Sequence, residues 1–442
     1  MSGGARWRCK QAAAPSRVAA GSSLGDTGTT RRIPACTIDG NTPTPATHPR
    51  RAQPLVHNPS IRTLLPLALL TGTSMLAMDL FLPAVPTLQA SLGIGVSQAQ
   101  ATIALFLAGL AASQLLWGEA LNRLGPRRCA VAGVALLALA SLGCALAPGI
   151  EALLAMRLLQ GIAAGAATVV AASVIRATLS DVDSVRAMAA IASIEAIVPA
   201  AGPVLGTVLL AFTDWRGAFW LIALAALIVW PFVVRVTPQR LPALDVSVPA
   251  RYRDILGNRR FARLALSHAL ALGALLTFVA SAPQLLQHTL GLPTSAFAAL
   301  QVIGVAGFMT MASLSGRISQ RIGLLPAVRA GAVAQCIVCV AMLAAAGLGR
   351  PSFVVIAALW CAFCAAMAVR GPPAFSLALQ LPPAQMGRAS AMMVLLLLLA
   401  GAAGTQGVAP FMAAPSLVPL AAAMLAMTLG SLVQVWVPAS SL

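Results

Sequence analysis

The chain contains one lysine, one tyrosine and four histidines in 442 residues, and only eleven carboxylates stand against 29 basic groups. Charged residues of every kind amount to 9%, where an ordinary soluble domain carries about 25%. With 59% hydrophobic residues and a mean hydropathy of +0.87, the surface of a water-soluble globule could not be covered. Aromatic residues make up 5%, and no basic cluster is interleaved with them on a polar segment, so the net charge of +18 does not describe a nucleic-acid partner. His-Glu-x-x-His is absent, as are a paired-aspartate arrangement and a Gly-rich loop ending in Lys and Ser/Thr. Metalloprotease chemistry and direct ATP drive are thereby excluded, and no catalytic residue or enzyme is expected. The eight cysteines include Cys336-x-x-Cys339 and Cys361-x-x-Cys364, but both pairs lie within apolar runs without a nearby His or carboxylate. They read as packing, and neither a metal nor a cofactor is expected.

What is abundant is apolar sequence in long runs. A helix needs about 20 apolar residues to cross roughly 30 Å of hydrocarbon. Twelve such runs occur, near 62–82, 99–118, 129–147, 153–175, 187–212, 217–235, 261–282, 296–316, 325–347, 353–375, 387–410 and 415–436. The arginines alternate with the crossings. If the N-terminus is inside, 26 basic residues fall on the cytoplasmic side, Arg216 and Arg350 fall outside, and Arg157 lies within a span. That asymmetry is the positive-inside rule, and it places both termini in the cytoplasm.

Four segments are expected. Residues 1–60, rich in Ser, Thr, Pro and Arg, form a disordered basic tail that need not belong to the mature protein. Residues 61–235 and 261–438 each hold six helices, and 236–260, with three prolines and clustered arginines, links them in the cytoplasm. GEALNRLG at 118–125 and GRISQRIG at 316–323 repeat one pattern 198 positions apart, each time between the second and third helix of its half. Gly118, Gly125, Gly316 and Gly323 are expected to tighten the turn and let helices touch, while Asn122, Arg123, Arg127 and Arg321 hold it at the cytoplasmic face. The fold class is an all-α integral membrane protein with twelve transmembrane helices in two six-helix halves, the arrangement that moves a substrate past a midplane site by alternating access.

A charge inside the bilayer costs between ~3 and ~10 kcal/mol, so each one requires a reason. Asp79 on the first span and Arg157 on the fourth fall near the outer boundary at a shared depth, which makes an ion pair feasible if the helices face each other. A movement that separates the two would switch the proton affinity of Asp79; the alternatives are a helix-end carboxylate reaching interfacial water for Asp79 and a structural ion pair or carbonyl clamp for Arg157. Glu195, on the fifth span, is the deepest charge; it is either a second proton site or recogniser of cationic substrate, or a protonated structural carboxyl bonded to a neighbouring helix. Arg370 precedes Gly371-Pro372-Pro373, which reads as the end of the tenth helix, so it is counted with the cytoplasmic arginines. The second half is left with polar groups only, and coupling is expected to reside in the first.

DLFLPAVP at 79–86, GEALNRLGPRR at 118–128, RLLQGIAAG at 157–165, GPVLG at 202–206, WRGAF at 215–219 and GRASA at 387–391 occur in the order known from the major facilitator superfamily. Residues 62–436 resemble that superfamily, and within it the bicyclomycin-resistance (Bcr/CflA) branch of drug:proton antiporters. The resemblance implies a major facilitator fold, first and fourth helices that face each other around the cavity with Asp79 and Arg157 on them, and a kinked antiporter contact at Gly202, Pro203 and Gly206; Gly161-x-x-x-Gly165 reads by itself as small-residue packing. Two departures fall on the cytoplasmic side: Asn122 stands where the family carries Asp, and Ala177 where an acidic residue usually follows the arginine of the fourth helix.

The expected function is proton-coupled efflux of small amphipathic drugs or toxic compounds across a bacterial inner membrane, by a monomer whose partners are substrate, protons and the lipid bilayer. Phe278, Gln284, Gln301 and Trp360 are the expected cavity contacts. The alternatives are a same-fold transporter of a sugar or amino acid, and a non-transporting receptor.

Overall fold

Each apolar run is a helix. The computed structural model describes residues 61–179, 181–239, 252–349, 351–413 and 416–436, so the expected tail and residues 240–251 of the expected linker lie outside the described residues. The helices are α1 (Ile61–Asp79), α2 (Val85–Leu92), α3 (Val96–Leu124), α4 (Pro126–Ala145), α5 (Ile150–Thr178), α6 (Asp181–Leu210), α7 (Arg216–Val236), α8 (Tyr252–Gly257), α9 (Arg259–Gln284), α10 (Thr294–Ile322), α11 (Leu324–Gly347), α12 (Phe353–Ala378), α13 (Pro383–Val408) and α14 (Val418–Trp436). No strand occurs among the described residues. All but α2 and α8 correspond to the twelve expected spans. Eleven spans among the described residues are long and apolar enough to cross a membrane; in α6 the apolar stretch is Glu195–Leu210.

The repeated octapeptides explain themselves at their last residue. Gly125 is the single residue between α3 and α4, Gly323 the single residue between α10 and α11, and both take positive φ, +80° and +91°. Only glycine reverses a helix in one residue at that angle without a Cβ penalty. The two turns mark one end of the bundle, the turn end; the other is the far end. Gly118 and Gly316 do not behave as expected: a Cβ at either meets nothing within 4 Å, so no neighbouring helix packs against them. Asn122 is exposed there, and Arg123 pairs with Glu119 of its own helix at 2.9 Å.

The two halves pack alike. In the first, α3 and α4 lie on α5, α4 on α7, and α1 on α5, α6 and α7; in the second, α10 and α11 lie on α12, α11 on α14, and α9 on α12, α13 and α14. The repeat reaches individual contacts. Gly109, the fourteenth residue of α3, and Gly307, the fourteenth of α10, abut the ninth residues of α5 and α12, Leu158 and Cys361. Gly133 and Gly331, the eighth residues of α4 and α11, approach the carbonyls of Ala163 and Ala366. Small residues where backbones nearly touch are how membrane helices gain van der Waals contact that lipid cannot supply.

The halves meet through α3 against α13 and α6 against α10. Their polar contacts gather at the far end, where Gln406 Nε2 donates to Ser97 Oγ at 3.1 Å and Gln284 donates to Gln89. The far end is closed, while the turn end exposes Glu119, Asn122, Arg123 and Arg321.

Candidate functional site: a cavity between the halves

A cavity of about 330 Å³ lies at mid-length between the halves, walled by α1, α3, α5 and α6 on one side and α9, α10, α12 and α13 on the other. That is room for a small organic molecule. The wall is chiefly Leu, Met, Val and Phe, relieved by Ser74, Asp79, Thr168, Gln301 and Trp360. Asp79 is the one charged group in the wall, and its carboxylate has no hydrogen bond or ion pair among the described residues.

Local sequence puts it there. Pro83 has no N–H to return to the carbonyl of Asp79, so α1 stops and the chain continues through a 3₁₀ turn at Leu82–Ala84 into α2. The whole crossing runs Leu65–Leu92, which places Asp79 at mid-span and not near the boundary where the apolar run alone puts it. On α6, a Cβ at Gly202 would lie 2.5 Å from the Asp79 Cβ, and one at Gly206 would strike the Leu80 carbonyl. GPVLG is thus the surface on which the broken end of the first crossing rests.

Arg157 does not pair with Asp79. It is fully buried behind Phe106, whose ring both lines the cavity and stacks 4.4 Å from the guanidinium; Phe81 and Phe219 complete the cage at 5.0 and 5.6 Å. Nη1 donates to Ala77 O at 3.1 Å and to Gln160 Oε1 at 2.5 Å, and Nε donates to Thr102 O at 3.2 Å. Gln160 passes the contact on to Ser141 Oγ on α4 at 2.8 Å. Nη2 has no partner, and the Ala77 carbonyl that Nη1 reaches belongs to the residue two before Asp79. The expected ion pair is therefore replaced by carbonyls, an amide and aromatic faces.

The sequence matches the model of the Major Facilitator Superfamily over residues 67–405. The chain belongs to that superfamily. Multidrug resistance protein MdtL of Escherichia fergusonii is 31% identical over 237 residues, 53% of this chain and 60% of that protein, and MdtL of Escherichia coli K12 gives the same figures. The chain spans about 60% of the length of these curated relatives. Among solved structures, a D-xylose–proton symporter superposes with a TM-score of 0.67 at 16% identity, over 85% of this chain and 97% of that one. A bacterial homologue of the human lysosomal transporter Spinster, inward-facing and occupied, gives 0.64 at 15%, over 84% and 94%. At such identity these two show the fold alone.

Within that superfamily fold the remaining expected residues divide. Gln301 and Trp360 line the cavity. Phe278 stands behind Trp360, stacked at 4.1 Å, and Gln284 belongs to the far-end seal. Gly161 packs on the Phe106 carbonyl. Glu195, half-buried on α6, sits beside the Thr71 hydroxyl of α1 outside the cavity wall. In WRGAF, Arg216 lies over the Trp215 ring at 4.1 Å and donates to Ala147 O beyond the end of α4 at 3.1 Å.

Arg370 is the largest correction. α12 continues through Gly371-Pro372-Pro373 to Ala378, so this arginine is intramembrane and fully buried, and it cannot be counted among the cytoplasmic charges. Its guanidinium reaches Gln335 Oε1 at 2.9 Å, Ser431 Oγ at 2.7 Å and Ser267 Oγ at 2.8 Å. These ties join α9, α11, α12 and α14 around one cation without a carboxylate.

Proposed function

We propose that this superfamily transporter exports small amphipathic compounds from a bacterial cytoplasm in exchange for protons, as a monomer in the inner membrane with the turn end and both termini cytoplasmic. One observation carries the reading: the cavity is apolar except for a few polar groups, and its one charge, Asp79, is unpaired. A bare carboxylate in such a place is costly, so something must neutralise it, and a proton and a cationic substrate compete for that role. With the far end closed, a cation entering from the turn end displaces the proton from Asp79. Once the far end opens, an external proton displaces the cation, which leaves on that side. Arg157, whose Nη1 holds the Ala77 carbonyl two residues before Asp79 and whose Nη2 is free, is the internal cation that can hold the empty carboxylate between cycles. Of the two readings open to Glu195, its seat against Thr71 favours a role in holding α6 on α1. The likeness to MdtL supports a drug as substrate, and the sparse polar lining is poorly suited to a sugar.

The test is transport in proteoliposomes carrying wild type or Asp79→Asn, with ethidium as the probe. An imposed proton gradient should drive ethidium against its concentration gradient in the wild type, and Asp79→Asn should only equilibrate it. If wild type and variant are driven alike, Asp79 does not couple.

A further inference from the structure

The cavity wall holds two more polar groups without partners, both on the C-terminal half. Trp360 is 2% exposed, and its Nε1–H, the only donor on the indole, meets no acceptor. Gln301 is 3% exposed; its Oε1 is covered and unpaired, and its side-chain amide makes no hydrogen bond among the described residues. The two are neighbours. Gln301 precedes Gly304 by three residues on α10 and so shares its face one turn away, and the Trp360 Nε1 occupies the space that a Cβ at Gly304 would need. Phe308, one turn further along the same face, also lines the cavity.

Packing does not require these polar atoms. Phenylalanine at 360 would stack on Phe278 equally well, and leucine at 301 would fill the wall without burying an amide. Buried polar groups left unpaired destabilise a fold, so each calls for a reason, and in the wall of a cavity a bound ligand is one. We propose that Trp360 and Gln301 form a neutral hydrogen-bonding subsite for uncharged aromatic ligands bearing an amide-type group. Both atoms are covered in this structure, Nε1 by Gly304, so a ligand entering the cavity parts that contact: its carbonyl then accepts from Trp360 Nε1, its N–H donates to Gln301 Oε1, and its ring lies against Phe308. This rests on reading the cavity as a transport site for amphipathic compounds, and it divides that range in two: cations on the wall that carries Asp79, neutral amides on the wall contributed by the other half.

The experiment is equilibrium binding of two radiolabelled probes to the purified full-length protein in detergent. Chloramphenicol is a neutral nitroaryl compound with a secondary amide; tetraphenylphosphonium is a cation with neither donor nor acceptor. Trp360→Phe and Gln301→Leu should each weaken chloramphenicol about tenfold and tetraphenylphosphonium less than about threefold. Asp79→Asn should reverse the order. Gln301→Leu leaves the aromatic stack in place and decides the matter if Trp360→Phe does not fold. Equal weakening of both probes, no weakening of either, or no chloramphenicol binding by the wild type overturns the subsite. A wild type that binds both probes yet moves neither under a proton gradient overturns the antiport reading and leaves the subsite standing.

Discussion

The eighth residue of α5 is Arg157 and the eighth of α12 is Trp360; facing them, the eleventh residue of α3 is Phe106 and the eleventh of α10 is Gly304. One contact in a repeated scaffold has been filled in opposite ways. The first half keeps its cation behind a ring, and the second gives up a side chain so that a ring can reach the cavity. Among the described residues each half also buries one arginine without a carboxylate, Arg157 toward the far end of its helix and Arg370 toward the turn end. The difference teaches that the repeat governs where backbones touch, at Gly109 and Gly307 or Gly133 and Gly331, and leaves the chemistry facing the cavity free to diverge. Charge went to one wall and neutral hydrogen bonding to the other.

The sharpest way to break this comparison is to remove each arginine. Arg370→Met should cost the most stability, of order 3 kcal/mol or more, because Gln335, Ser267 and Ser431 on three other helices lose a common donor in a buried place. Arg370→Lys should recover part of it. Arg157→Met should cost less, since Thr102 O lies inside α3 and is already a helical acceptor and three phenylalanines can close around a thioether, which leaves Gln160 Oε1 and the Ala77 carbonyl at the end of α1 as the groups that lose a donor. It should nonetheless abolish driven transport. Heating in detergent followed by size-exclusion chromatography ranks the two. If Arg157→Met melts as early as Arg370→Met, both arginines are structural and the division of labour fails.

A smaller effect tests the shared scaffold. Gly109→Ala places a methyl group against the Leu158 carbonyl, which a helix cannot move. Gly307→Ala meets the Cys361 Sγ at 2.5 Å and the carbonyl at 3.0 Å, and a thiol can rotate away. Overpacking costs about 1–3 kcal/mol, so Gly109→Ala should approach the upper figure and Gly307→Ala the lower. The same melting assay reads both, and a larger loss at Gly307 would mean that the second half is the tighter one.

Much of this was legible in the sequence, because a bilayer fixes the length of an apolar run; the spans near 325–347 and 353–375 fall within a few residues of α11 and α12. Asp79 and Gln301 could be picked out because polar groups are rare in such runs, and Trp360 as one of the few large aromatic side chains in the second half. The misses share one cause, partners supplied by distant segments. Gly371-Pro372-Pro373 looks like a helix end, but the two prolines free only the Ala368 and Val369 carbonyls, and Ser315 Oγ of α10 donates to the second at 3.4 Å; α12 continues, and Arg370 is carried inside. Gln284 looks like cavity lining until α2, a short helix beyond the break in the first crossing, brings Gln89 to it. The Phe cage is likewise assembled from α3, α7 and the break after α1, so spacing along α5 cannot reveal that Arg157 has rings for neighbours.

The smallest predicted effect concerns Asn122, where the superfamily pattern has a carboxylate. α3 and α13 run antiparallel and touch at the far end, where Ser97 meets Gln406. From there Asn122 lies 25 residues along α3, and Pro383, the first residue of α13, lies 23 residues back. At 1.5 Å per residue these reach nearly the same level, so closing the turn end brings position 122 to the N-terminus of α13. An aspartate there gains about 0.3–1 kcal/mol from the helix dipole, but only in the closed state. In the open state Asn122 is exposed and has nothing to gain. Asn122→Asp should therefore shift the open–closed equilibrium by about two- to fivefold toward closure while leaving the melting of the open form unchanged. Spin labels at positions 124 and 386, one on each helix at the turn end, read the populations as two distances. An unchanged distribution would mean that the two helix ends do not meet in the closed state, and that the asparagine has no part in how this chain closes.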